Sequence, residues 1–67
     1  MADRKKIGER LRELRGTKTV VAVANACNIS PSTLSMYENG ERVPRDEIKV
    51  RLAKFYNSTV QAIFFEL

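Results

Sequence analysis

Four hydroxyl side chains, Ser30, Ser32, Thr33 and Ser35, fall within six residues, around a proline at 31 and ahead of an asparagine at 39. Such groups donate or accept hydrogen bonds without carrying charge, so the cluster suits contact with a polar surface. Nucleophilic chemistry would need one hydroxyl activated by a neighbouring base, and the 67 residues hold no histidine. The carboxylates Glu9, Glu13, Asp46 and Glu47 sit on solvated helix faces by their spacing, and neither a P-loop nor a GxGxxG occurs. Cys27 is the single cysteine. It can form no disulfide within the chain, and without histidine the usual zinc sets cannot be assembled. Between Ala26 and Asn28 it reads as a small buried hydrophobe in a reducing, cytoplasmic setting. The residues point away from an enzyme and call for no metal, no cofactor and no small-molecule ligand.

Short helices must place the hydroxyl cluster. Ser30 is suited to an N-cap and Pro31 to the first helical position, with the helix running to Glu38 and closing at Asn39-Gly40. Thr19 can cap a preceding helix over residues 20–27, where Val20, Val21 and Val23 would also suit a strand. The threonine cap, the alanines at 22, 24 and 26, and the lack of a second β-like run favour helix. Two helices crossing steeply over a tight turn need a small residue where they touch, which Ala24 supplies. They need a turn residue that tolerates positive φ, Asn28, and inward apolar side chains at Val23, Ile29 and Leu34. Residues 19–39 meet all three needs in one register. The two helix N-termini, around Thr19 and Ser30, also present free N–H groups and positive dipole ends that suit phosphate oxygens.

Three further helices complete the prediction. The first is capped by Asp3, carries Ile7, Leu11 and Leu14 on one face, and stops at Gly16-Thr17. The fourth opens at Arg45 or Asp46 and runs to Tyr56, with Ile48, Leu52 and Phe55 as its stripe, widened by Ala53 and Tyr56. After Asn57, Thr59 caps a last short helix over residues 60–65. Tyr37 and the phenylalanines read as packing. The expected fold is all-α, a compact five-helix single domain over residues 1–67. The longest apolar run is the five residues 20–24, whereas a membrane span needs about 18 to 20. Arg4, Lys5 and Lys6 resemble the start of a signal peptide, but charged residues follow where its apolar region should be.

Charge is unevenly divided. The chain has 12 Lys+Arg against 8 Asp+Glu, a formal +4. Residues 1–18 carry seven basic and three acidic side chains, residues 19–41 only Glu38 and Glu41, and residues 42–57 five basic against two acidic. The hydroxyl cluster therefore lies in a weakly acidic stretch between basic flanks. Any polyanion would be gripped from those flanks, with Lys18, Arg42 and Arg45 nearest and Arg4, Lys5 and Lys6 available as an arm.

The strings Ile7-Gly-Glu-Arg-Leu-Arg-Glu-Leu-Arg15, Asn28-Ile-Ser-Pro-Ser-Thr-Leu-Ser-Met-Tyr-Glu-Asn-Gly40, Arg42-Val-Pro44 and Thr59-Val-Gln-Ala-Ile-Phe64 together resemble the lambda-repressor-like, Cro/cI-type helix-turn-helix family. The likeness covers nearly the whole chain. It implies a five-helix bundle whose second and third helices are the DNA-reading pair, the third entering the major groove. By position it assigns Pro31, Ser32 and Met36 to base edges. Ser30, Thr33 and Ser35 are placed near bases or phosphates, and Asn39 on a phosphate. It also implies that Arg15 pairs with Glu38 to tie the recognition helix to the core.

The chain departs from the family pattern in three places. Val20 stands where many relatives carry a glutamine that contacts the DNA backbone, and the loop before the second helix is about two residues shorter. Pro31 and Met36 replace the usual Gln, Arg or Lys, leaving apolar contact with thymine methyls in place of bidentate base readout. At the C-terminal end, one of Phe64, Phe65 and Leu67 is surplus to a monomer's core, which makes these three the candidates for a dimer interface, as in relatives. The expected function is that of a sequence-specific regulator of transcription, a repressor binding double-stranded DNA as a homodimer on a near-palindromic operator. Its expected setting is the cytoplasm of a prokaryotic cell, whether host- or phage-encoded. A regulatory protein partner is the alternative, in an interaction module of antitoxin or phage-regulator type.

Overall fold

The structure, a computed structural model, describes residues 3–65. Within them lie five helices and no strand: α1 (Arg4–Arg15), α2 (Val20–Ala26), α3 (Pro31–Glu38), α4 (Asp46–Phe55) and α5 (Gln61–Phe65), the last wound as a π-helix. The valine-rich stretch is helical, as its cap and alanines predict. Leu67 lies outside the described residues.

The helices start where side-chain oxygens meet free backbone N–H groups. Asp3 accepts from the Lys5 and Lys6 amides, Thr19 from Ala22, Ser30 from Thr33 and Thr59 from Ala62, at 3.0–3.3 Å. Arg45 gives α4 no side-chain cap, and the carboxylates of Asp46 and Glu47 in the first turn complement its dipole instead. Helices α2, α3 and α4 share one ending. At each, a residue with φ of 54–75°, Asn28, Gly40 or Asn57, turns the chain, and the next amide reaches back five residues: Ile29 to Ala24, Glu41 to Met36, Ser58 to Ala53. This Schellman arrangement satisfies carbonyls that the helix leaves open.

Helices α1 and α2 pack on α3, and α1 also meets α5. The core joins Ile7 and Leu11, Val23 and Ala24, Leu34 and Tyr37, Ile48, Leu52 and Ala53, and Ile63 and Phe64, with Cys27 among them. Gly8 lets α1 approach α3. A Cβ there would fall 2.8 Å from the Tyr37 carbonyl oxygen and closer still to that of Glu38. One expected core residue is displaced, since Phe55 is 36% exposed. Ala53 is buried, and two residues of helix turn the chain by about 200°, which swings Phe55 away from the packed face. Its ring rests edge-on against Tyr56.

Candidate nucleic-acid interface

Helix α3 divides cleanly into two faces. Leu34, Tyr37 and Glu38 are buried, Pro31 and Ser32 are exposed, and Thr33, Ser35 and Met36 are half-buried along its flank. The proline that starts the helix needs no hydrogen-bond partner for its nitrogen, and Ser30 closes the turn behind it. The Ser30 hydroxyl accepts from the Thr33 amide and lies 2.7 Å from Thr33 Oγ1 and 3.3 Å from Ser32 Oγ. These hydroxyls therefore order the helix start, and Ser30 and Ser32 are the exposed members of the group.

The buried carboxylate of Glu38 fixes the far end of α3. Arg15 at the end of α1 meets it with two hydrogen bonds, Nε to Oε2 at 2.8 Å and Nη2 to Oε1 at 3.1 Å. This charge-assisted fork satisfies a group that could not be buried alone. The remaining Nη1 donates to the Lys18 carbonyl at 2.8 Å, so one guanidinium ties α1, the approach to α2 and α3 together. Arg12 lies 3.9 Å from Glu38 and donates from Nη2 to Asn39 Oδ1 at 2.7 Å. That contact engages the Asn39 oxygen and leaves its Nδ2 group as the donor of this exposed side chain.

Lys18, Thr19, Asn39, Arg42 and Arg45 are all exposed around α3. Arg4, Lys5 and Lys6, expected as an arm, form the first turn of α1, because Asp3 caps the helix ahead of them. Two polar clefts flank α3. One, of about 290 Å³, lies between its N-terminal end and α4 and is lined by Ser30, Thr33, Arg42, Arg45 and Arg51 over the Tyr37 and Ile48 side chains. The other, of about 210 Å³, is formed by Lys5, Glu9, Arg12, Glu38 and Asn39. Sequence reasoning missed Arg51 and Arg12. Only the Glu47-to-Arg51 spacing, right for a pair on one helix, hinted at the first.

The expected dimer residues separate. Phe64 is fully buried and belongs to the core, so it offers no free surface. Phe65 is 56% exposed, with the Lys49 ammonium 4.9 Å from its ring centre. Cys27 is buried, and burial pushes its thiol up, opposed by the charge of Arg51. The Tyr56 hydroxyl is enclosed without a hydrogen-bond partner, and burial first, then the Glu38 charge, pushes its pKa up to about 12. Among the described residues no group of side chains could hold a metal ion, and no helix is long and apolar enough to cross a membrane.

A steep helix pair with a positive-φ turn, one helix anchored by a buried ion pair and showing a polar face, defines a helix-turn-helix domain. The chain belongs to the helix-turn-helix domain family, whose model matches residues 6–62. Solved structures place it in the lambda-repressor-like branch. The clp gene regulator ClgR from Corynebacterium glutamicum is similar at 27% identity and a TM-score of 0.81, over 90% of this chain and 66% of that one. The present chain thus spans just under two thirds of that regulator. The restriction-modification controller protein C.AhdI from Aeromonas hydrophila matches at 28% and 0.84, over 92% of this chain and 97% of that one. The P22 c2 repressor protein, solved with synthetic operator 9T, shares the fold at 23% and 0.85, over 88% and 92%. The fold also forms about a third of hydroxypropylphosphonic acid epoxidase from S. wedmorenis, at 22% identity and 0.82, over 92% of this chain and 34% of that one, so fold alone does not assign activity. No curated protein sequence matches the chain.

Proposed function

We propose that this domain is a sequence-specific, double-stranded DNA-binding regulator of transcription, a repressor acting as a homodimer on a near-palindromic operator. The observation that carries the reading is the presentation of α3: an uncharged outer face of Pro31, Ser32 and Met36, held by the Arg15–Glu38 pair and flanked at both ends by polar clefts bearing arginine. In this reading α3 lies in the major groove. Pro31 and Met36 meet thymine methyls, and Ser30, Ser32 and Ser35 add hydroxyl contacts to base edges. Lys18, Thr19, Thr33, Asn39, Arg42 and Arg45 take backbone phosphates. Relatives named as a gene regulator and a controller protein support the regulatory role.

In this reading the size of the domain suits two copies. The domain measures 29 × 22 × 22 Å and offers one reading helix, whereas half-sites one helical turn apart are separated by about 34 Å. Phe65, and Leu67 beyond it, are the residues offered to the second copy. The absence of any basic side chain from residues 19–37 favours the second reading, an interaction module whose main partner is a protein. Selection of bound sites from random duplexes, with sedimentation of the resulting complex, tests the proposal. A recovered motif with two half-sites and two copies per duplex supports it, and recovery of no motif sinks it.

A further inference from the structure

Arg51 sits on α4, yet its side chain crosses the cleft to the turn between α2 and α3. Nη1 lies 3.5 Å from the Cys27 carbonyl oxygen and 3.4 Å from that of Asn28, and Nη2 lies 2.9 Å from Glu47 Oε1. The Schellman bonds at the end of α2 use the carbonyls of Ala24 and Asn25, which leaves those of Cys27 and Asn28 without a backbone partner at the negative end of the helix. A cation placed there stabilises the turn, and a planar guanidinium has a second edge to spare. Glu47, one turn earlier on α4, holds that edge and so aims the first. The same cleft is bordered by Arg42 and Arg45 on the segment joining α3 to α4.

We propose that Arg51 is a positioning residue for DNA recognition, an inference that rests on the DNA-binding reading of this surface. By holding the Cys27 and Asn28 carbonyls from α4, it locks the pitch of α3 to the segment that carries Arg42 and Arg45. Base contacts and phosphate contacts then meet the duplex in one register. Both Nη groups of Arg51 are already engaged, so the role needs no contact with DNA.

The test compares wild type with Arg51→Gln and Arg51→Lys on a selected duplex and on a random duplex, across a salt series, well below each variant's melting temperature. Arg51→Gln is expected to weaken selected-site binding roughly tenfold, the scale of one lost charged contact, while random-duplex binding and the salt slope stay as in wild type. Arg51→Lys keeps the charge without the fork and is expected to recover only part of the loss. An unchanged ratio of selected to random affinity, with only the melting temperature lowered, would make Arg51 a stability residue and overturn the proposal. A salt slope shallower by about 0.9 would reveal a direct phosphate contact and overturn it equally. If Arg51→Gln does not fold, Glu47→Gln loosens the guanidinium without touching the turn, and a lower ratio supports the role where an unchanged one ends it. Wild type that prefers no duplex would overturn the DNA-binding reading itself, a failure visible before any variant is compared.

Discussion

Glu38 shows how one residue binds α3 to the rest of the molecule. Its side chain is 3% exposed and its partner Arg15 20%, so removal of the carboxylate strands a cation only partly able to reach water. Glu38→Ala is therefore expected to cost about 3 kcal/mol, the lower end for a buried pair, and urea melts measure it. A melt unchanged from wild type, with DNA binding lost, would instead place Glu38 at the interface. Tyr56 presents the opposite case, a buried hydroxyl with nothing to bond. Its pKa is about 12 in the fold against 10.0 when free, so both states keep the proton below pH 10. Between pH 10 and 12 the unfolded chain ionises first, and the stability held through this group falls as pH rises. Tyr56→Phe removes the unpaired group and its titration. It should melt no lower than wild type at pH 7 and lose less stability between pH 10 and 12, whereas a clear drop at pH 7 would mean the hydroxyl has a partner.

At the scale of elements, the approach of α1 to α3 depends on Gly8. In an isolated helix, Gly→Ala gains about 1 kcal/mol, yet here the added methyl meets the backbone of Tyr37 and Glu38, which cannot move aside without shifting α3. Gly8→Ala is expected to lower stability by about 2 kcal/mol, and a melting temperature at or above that of wild type would contradict the packing described. This glycine also marks where sequence reasoning stops. Caps at Asp3, Thr19, Ser30 and Thr59 are legible because a cap is settled within three residues of its helix. So is the turn at Asn28, where a left-handed φ admits few residue types. Gly8, Arg12 and Arg51 act on residues more than 20 positions away, and nothing in their neighbourhoods announces it. Phe55 and Phe65, both read as packing, are exposed for the same reason, while Phe64 is buried as that reading expects. Periodicity gives the direction of a stripe, while the depth to which each position is covered depends on helices elsewhere in the chain.

Over the whole molecule, the division of charge carries the functional argument. The formal +4 arises outside the α2–α3 pair, and Arg42 and Arg45, in the segment between α3 and α4, line the cleft beside the N-terminal end of α3. An uncharged α3 contributes little attraction at a distance, so in the proposed reading association with DNA depends on the flanks and contact with bases on α3. Arg42 and Arg45 are exposed, and among the described residues their side chains make no hydrogen bond or ion pair, which makes them clean probes of that division. The decisive measurement is the salt dependence of affinity for a selected duplex, in wild type and in the Arg42→Ala, Arg45→Ala double variant. Loss of two phosphate contacts should make the slope of log K against log salt shallower by about 1.8, with the selected motif unchanged. A slope equal to that of wild type would contradict the account.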